Sequence, residues 1–458
     1  MTSLAAPLYE ALCAYVDKSP VGFHTPGHTG GRAYPLSSLW TLDLTELFLG
    51  PTGPYLPSVV TEAERLAAEA FGAGRSFFLT NGASIGVLAM VLGSAPPGGT
   101  IFIGRDCHRA VVHACILGDL RPVFLPPLFA DGWEFPMGVA LSELKKVFCR
   151  KDLILVTNPT YQGIVQDLKS IGEPEGVFLV DEAHGTHLAL LENYAGAGVA
   201  GARAWVHGSH KTLGSLTQTG MLHLRRGVEE EPYLTWLERL GTTSPSYPLL
   251  ASLDLARRWA VPQGREAWTR HAERMALLRR RLRALGWRVL TEEGLPFSAA
   301  LDPAKLTVAV PAGGATLARK LLEDYGLQAE AVGPDWSVFL LTPFHTEEEI
   351  ARLCKALADL VPLAVQGGSS PPVWPRRWPE RVLWPREAAL GPRRRVPLAE
   401  AEGLVAAEPL SPYPPGIPLV WPGEIIDQAS YTYLLAFYRA GGHISGLDAA
   451  GRVAVVAI

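Results

Sequence analysis

Cysteine is nearly absent from this chain: five in 458 residues, at 13, 107, 115, 149 and 354, with no CxxC spacing among them. An odd, unpatterned set fits a reducing compartment better than a disulfide framework. A long hydrophobic run is missing as well. The best stretch, "SIGVLAMVLG", stops at "SAPPGG", well short of the roughly 20 residues that a membrane span needs. The first residues, "MTSLAAPLYEALCAYVDK", carry Glu10 and Asp17 and lack a basic leader segment, which makes a poor signal peptide. Neither sign of charge is in excess. With 41 basic and 45 acidic residues the net charge is −4, so there is no electrostatic footprint for nucleic acid. These absences together predict a cytoplasmic protein with neither a nucleic-acid nor a membrane partner. The dipeptide Gly-Lys occurs nowhere, and without it no phosphate loop of the GxxxxGK[ST] type can be built.

Apolar residue is plentiful: 48% of the chain is hydrophobic and 19% charged, enough for a large core and two or three domains. From about residue 60 to 225, amphipathic segments alternate with short apolar runs. "VTEAERLAAEAFGAG" has helical spacing, "SFFLT" reads as a strand and "SIGVLAMVLG" as a helix. "TIFIG", "PVFLPP", "DLILVT", "GVFLV" and "AWVHG" read as further strands, and "LSELKKVFCR" as a helix. Short runs rich in Val, Ile, Leu and Phe between helices are the pattern of buried parallel strands, so the spacing predicts an α/β fold. Residues 263–290 form one long helical pattern leading into a strand, and a smaller α/β unit follows to about 364. "QGGSSPPVWPRRWPERVLWPRE" has neither periodicity and reads as an extended connector. The divisions predicted are 1–60, an N-terminal segment; 61–262, a large domain; 263–364, a small α/β domain; 365–400, the connector; and 401–458, a C-terminal domain.

The polar residues fall where these strands end. "SFFLT" runs into Asn81-Gly82-Ala83-Ser84, "TIFIG" into Arg105-Asp106-Cys107-His108, and "DLILVT" into Asn158-Pro159-Thr160-Tyr161. "GVFLV" runs into Asp181-Glu182-Ala183-His184, and "AWVHG" into Ser209-His210-Lys211. In an open parallel sheet the carboxyl edge is where ligands bind.

Lys211 stands in "GSHKTLGSLTQTG", with no carboxylate beside it in sequence. A lysine that is to attack an aldehyde must be neutral, and a neighbouring counter-ion would oppose that. Such a lysine forms a Schiff base with an aldehyde cofactor, and pyridoxal phosphate is the common one. That cofactor needs a carboxylate at its ring nitrogen, a place suited to Asp181. Its phosphate needs the N–H groups and hydroxyls of a helix start, which Gly82, Ala83 and Ser84 suit, with Ser209 and His210 adding donors. Its ring needs a flat partner, which His108 can supply. Each residue also has a plainer role open to it. Lys211 alone would be a surface lysine, Asp181 and Ser84 helix caps, and His108 a core histidine. His184 and His187 have the HxxH spacing of metal ligands, yet no Cys or His cluster completes a site. "VFLVDEAH" is also the pattern of a nucleotide-hydrolysing helicase at its magnesium-binding strand, but that reading falls with the missing phosphate loop.

The motifs in their order resemble the fold-type-I, pyridoxal-phosphate-dependent Orn/Lys/Arg decarboxylases. "FHTPGHTGG" at 23–31 and "DLTEL" at 43–47 resemble the family's N-terminal signature, and "FLTNGASIG", with Asn81, its phosphate-binding turn. "RDCHRA" resembles the segment of its ring-stacking histidine. "NPTYQG", "VDEAHGTH" and "GSHKTLGSLTQTG" continue the order, and "PREA" with "YPPGIPLVWPGE" resembles its C-terminal domain.

The resemblance implies a pyridoxal-phosphate-dependent transferase fold: a large domain like that of aspartate aminotransferase, with a mostly parallel sheet, and smaller C-terminal α/β domains. It implies that Lys211 carries the cofactor, His108 stacks on its ring and Asp181 pairs with its nitrogen. Ala83, Ser84, Ser209 and His210 would surround the phosphate, and His184 would lie beside the cofactor. A homodimer or larger homo-oligomer and a basic amino-acid substrate are implied too, with arginine favoured over lysine or ornithine. The distal cation of such a substrate calls for an acidic or aromatic cage, for which Glu424 and Trp421 in "WPGE" are candidates. Asp106, Ala110 and Gln162 stand where the family usually has Asn, Ser and Asp. The chain resembles the shorter class, without the additional N-terminal domain of the large members. An aminotransferase shares the lysine and the aspartate but ordinarily grips the substrate carboxylate with an arginine of the small domain, and none is identifiable here. A non-catalytic cofactor-binding protein is the third option.

Overall fold

Six of the apolar runs lie side by side in the computed structural model, which describes residues 21–23, 56–141, 152–171, 176–293, 295, 299–365, 373–413, 416–439 and 441–457. The "FHTPGHTGG" motif beyond Phe23, the "DLTEL" motif and the helix expected from Ser142 to Arg150 lie outside the described residues. Among those described, no helix is long and apolar enough to cross a membrane.

Helix α1 (Leu56–Ala70) leads into β1 (Arg75–Leu79), α2 (Gly82–Leu92), β2 (Thr100–Gly104), α3 (Arg109–Gly118) and β3 (Arg121–Leu125). Strands β4 (Leu153–Thr157), β5 (Val177–Glu182), β6 (Ala204–His207) and β7 (Gly220–Leu224) complete a seven-stranded sheet of order β1-β7-β6-β5-β4-β2-β3. β7 is antiparallel to both its neighbours and the other strands share one direction. The carboxyl ends of six strands therefore meet along one edge, where β7 begins.

Strands β4 to β7 are almost wholly buried, as expected of strands covered on both faces. The sequence "GASIGVLAMVL" has no polar stripe, so α2 cannot lie at a surface. It packs into one core with α3, the sheet and Tyr233 of α4 (Glu231–Leu240).

Helices α5 (Tyr247–Trp259) and α6 (Arg265–Ala284) are joined by the π turn Ala260–Gly264. They lead to a second core. Here β8 (Lys305–Ala309), β9 (Ala331–Val332) and β10 (Trp336–Leu340) form an antiparallel sheet of order β8-β10-β9. Leu278 and Leu282 of α6, Leu317 and Leu321 of α7 (Gly314–Tyr325), and Leu353 and Leu357 of α8 (Glu347–Asp359) share this core with Phe339.

A third core joins Trp374, Val396 and Leu398 to Leu410, Leu434 and Val455. Its elements are α9 (Pro385–Leu390), β11 (Arg393–Pro397), β12 (Ser411–Tyr413), α10 (Gln428–Arg439), β13 (His443–Ser445) and β14 (Arg452–Val456). The Pro-, Trp- and Arg-rich stretch read as an extended connector thus includes a short helix and a strand. Glu387 starts the helix by accepting the Trp384 N–H at 2.8 Å, and β11 pairs antiparallel with β14.

Candidate active site

At the carboxyl edge of the large sheet a cavity of about 480 Å³ opens, and Lys211, Asp181, His108 and His184 line it together. They reach it from three different strand ends. Asp181 lies within β5, His184 follows that strand, His108 follows β2, and Lys211 stands in the single helical turn Ser209–Thr212 after β6. Gly82, Ala83 and Ser84 line the same cavity from the first turn of α2, and His210 lines it beside Lys211.

Burial sets the electrostatics. Loss of hydration lowers the Lys211 ammonium to about 8, against the attraction of Asp181, which favours the charged form. Lys211 Nζ is hydrogen-bonded to His184 Nε2 at 2.9 Å, and burial with the nearby Lys211 charge holds His184 well below the ordinary imidazole range. The same two causes bring His108 down to about 3, so it presents a neutral ring. Its Nδ1 accepts the Ala110 N–H at 3.2 Å and caps α3, which fixes the ring at the cavity wall.

Asp181 is pushed up by burial, opposed by Lys211 and by the Ala183 N–H that it accepts at 3.1 Å. Asp106, also on the wall, is pushed up to about 6 by burial, with the Asp181 charge adding to the effect. The attraction of Lys211 does not offset the burial of Asp181, and a pyridinium N–H in contact with that carboxylate would. Among the described residues, the Ser209 Oγ and His184 Nδ1 atoms are buried without a hydrogen-bond partner. A buried hydroxyl without a hydrogen bond is costly; Ser209 does not itself line the cavity, but it directly precedes His210, which does, and a phosphate there would offer it an acceptor. The turn around Gly82 is built for close approach. Gly82 has φ +82°, and its N–H donates to the Gln218 carbonyl at 2.8 Å. The donor set suits a flat cofactor with an aldehyde, a ring nitrogen and a phosphate, as pyridoxal phosphate has.

Four expected residues do not line the cavity: Asn81, Glu424, Trp421 and Ser209, the last buried one position before the cavity-lining His210. Asn81 lies at the start of α2 with no capping hydrogen bond and faces a neighbouring groove with Pro57 and Leu237. The cage proposed from Glu424 and Trp421 is not formed. Glu424 is 1% exposed and grips Arg105 through both oxygens, at 2.6 Å each. Trp421 packs edge-on against Phe124 at 5.0 Å. Neither lines the cavity. The charge of Glu424 is already matched by a buried arginine, away from the cavity.

The carboxylate at the cavity that sequence reasoning missed is Glu330, next to β9 in the second core. It accepts the Tyr161 hydroxyl at 2.7 Å, and Tyr161 meets His184 edge to face at 5.0 Å. Behind Tyr161, the buried Lys305 Nζ sits over the ring, 4.8 Å from its centroid. Tyr413 and Ile417 of the third core complete the wall. The position of "NPTY" after β4 was a usable signal for Tyr161. Glu330 gave none. Among the described residues, no group of three His, Cys, Asp or Glu side chains is placed to hold a metal.

Comparison with known proteins follows the same lines. Residues 6–294 match the family model for the Orn/Lys/Arg decarboxylase major domain, and residues 378–451 match that for its C-terminal domain. The chain is 32% identical to an arginine decarboxylase of Bacillus subtilis, over 97% of this chain and 96% of that protein. Among solved structures, the lysine decarboxylase LdcF of Francisella novicida superposes with a TM-score of 0.79 at 21% identity, over 99% of this chain and 78% of that one. A serine palmitoyltransferase solved with pyridoxal phosphate superposes with a TM-score of 0.56 at 16% identity, over 75% of this chain and 88% of that one. These likenesses establish the pyridoxal-phosphate-dependent transferase fold.

Proposed function

The chain belongs to the Orn/Lys/Arg decarboxylase family, and from that membership and the cavity geometry we propose that it decarboxylates a basic amino acid with pyridoxal phosphate. Arginine is the substrate we favour, then lysine or ornithine. The observation that carries the reading is the meeting of Lys211, Asp181 and His108 on one cavity at the carboxyl edge of the sheet. An aminotransferase reading is not favoured by the relatives.

Bound pyridoxal phosphate supplies an aldehyde that joins amines and an electron-poor ring that accepts the electron pair left behind by carbon dioxide. Lys211 Nζ is the amine that holds it, and burial keeps this amine partly neutral near physiological pH. Asp181 would keep the ring nitrogen protonated, which preserves the pull on electrons, and the neutral His108 side chain would offer the ring a flat face. The first turn of α2, with Ala83 and Ser84, and the residues Ser209 and His210 would hold the phosphate. The reaction exchanges a carboxylate for a proton at Cα. Lys211 Nζ and His184 Nε2, bonded to each other, hold the exchangeable proton nearest the attachment point. Glu330 receives the distal cation of the substrate, and its second wall is the Tyr161 hydroxyl. We take the working form to be a cytoplasmic homodimer or larger homo-oligomer.

The test is direct. Purified protein incubated with arginine, lysine or ornithine should release carbon dioxide without a keto-acid acceptor. Lys211→Ala should lose both that release and the visible absorption band of lysine-bound cofactor. Turnover that needs an acceptor, or a band that survives the substitution, overturns the reading.

A further inference from the structure

Two tyrosine rings line the cavity, and they are not equally available. Tyr161 is occupied: Lys305 Nζ stands over its ring at 4.8 Å, His184 meets it at 5.0 Å, and its hydroxyl is given to Glu330. Tyr413 is different. It ends β12, lines the same cavity and is 52% exposed. The strand pairs Tyr413 with His443 of β13, whose ring meets it edge-on at 6.2 Å and 88°. Gly416 packs close by: a Cβ there would lie 3.2 Å from Tyr413 Cδ2, and its φ of +84° allows the chain to turn back against the ring. The ring is thus held in place by backbone pairing and by two neighbours while keeping exposed surface at the cavity mouth.

Resting on the assignment of Glu330 as the anchor of the substrate's distal cation, we propose that Tyr413 is the residue that selects a guanidinium over an ammonium head group. The chemistry of the two cations separates them. A guanidinium is planar, stacks on aromatic faces and sheds water readily, and it offers a fork of N–H donors to a carboxylate. An ammonium is a compact, strongly hydrated point charge and gains less from a half-exposed ring. Glu330 accepts a hydrogen bond from Tyr161 and already feels the buried Lys305 and Lys211 charges; in this assignment its carboxylate serves either head group alike. The aromatic face supplied by Tyr413 is what adds to one of them. The third core, remote in sequence from the cofactor residues, then decides which basic amino acid is used.

The experiment compares arginine with lysine and ornithine on the cofactor-loaded full-length enzyme and its Tyr413→Ala, Tyr413→Leu and Tyr413→Phe variants. For arginine, the alanine and leucine variants should raise KM about tenfold, the usual weight of one lost cation–π contact, with kcat within about threefold. KM for lysine and ornithine should move less than about threefold. The phenylalanine variant, which keeps the ring, should match the wild type. The leucine variant keeps apolar bulk at the strand end, so the comparison stands if the alanine variant fails to fold. Equal shifts for arginine and lysine indicate a merely structural role and overturn the proposal, as does loss of arginine binding in the phenylalanine variant. Wild-type enzyme that turns over lysine and not arginine overturns it too, while leaving the decarboxylase reading intact. A wild type that decarboxylates none of the three sinks that reading instead.

Discussion

Lys211 gains its reactivity from burial, and that makes its behaviour with pH predictable. Its ammonium is lowered to about 8 because desolvation outweighs the attraction of Asp181. Attack on an aldehyde needs the neutral amine, whose fraction grows about tenfold per pH unit below the pKa and levels above it. Adding pyridoxal phosphate to the apoprotein should therefore produce the visible band at a rate that climbs from pH 6 to about 8 and then flattens. Stopped-flow absorbance across that range checks it, and a climb that continues to pH 10 would mean an ordinary exposed lysine. At this scale the sequence was most legible where residues sit next to a strand end. Lys211, Asp181, His108, Ser84 and His184 all reach one cavity because the fold brings strand ends to one edge. Glu330 was not legible, since it arrives beside a two-residue strand of another core. Glu424 was misjudged because its partner, Arg105, is 319 residues away in sequence. A carboxylate next to a tryptophan reads the same in one dimension whether it is paired or waiting.

Among the elements, β7 was overlooked in the sequence although it is fully buried. "GMLHL" is short and follows the lysine segment directly, with no helix between them, so it reads as the tail of that segment. Its insertion, antiparallel, between β1 and β6 is a matter of pairing, and no local pattern encodes it. Its first residue carries a steric requirement. A Cβ at Gly220 would lie 2.7 Å from the His207 carbonyl oxygen and 3.3 Å from the Ala83 nitrogen. The carbonyl is backbone and cannot swing aside, so Gly220→Ala has to push β7 away from β6 or α2 away from the sheet. Overpacking of this kind costs about 1–3 kcal/mol. Because Ala83 opens the turn proposed to hold the phosphate, cofactor affinity should weaken as well as stability. A urea midpoint below that of the wild type, together with a weaker pyridoxal phosphate titration, is the expected pair of results. An unchanged titration would separate the turn from the strand.

Across the whole molecule, the third core is tied to the large sheet by a buried ion pair. Arg105, one residue before Asp106 of the cavity wall, is 0% exposed and gives two hydrogen bonds of 2.6 Å to Glu424. It also gives one of 2.9 Å to the Leu419 carbonyl. Its guanidinium lies over Phe124 at 4.2 Å and over Trp378 at 4.9 Å. Glu424 in turn accepts the Trp421 N–H at 2.8 Å. The segment it anchors is the one that delivers Ile417 and Tyr413 to the cavity. Burying two charges costs about as much as their attraction returns, but stranding one of them typically costs about 3–5 kcal/mol. Arg105→Met and Glu424→Leu should each lower the thermal midpoint sharply, and the double variant should sit closer to the wild type than either single does. Removing both charges leaves no orphan, whereas each single variant buries one. A double variant whose loss equals the sum of the singles would mean that the two side chains act independently. The tie between the cavity wall and the third core would then have to run through the apolar contacts of Phe124 and Trp421.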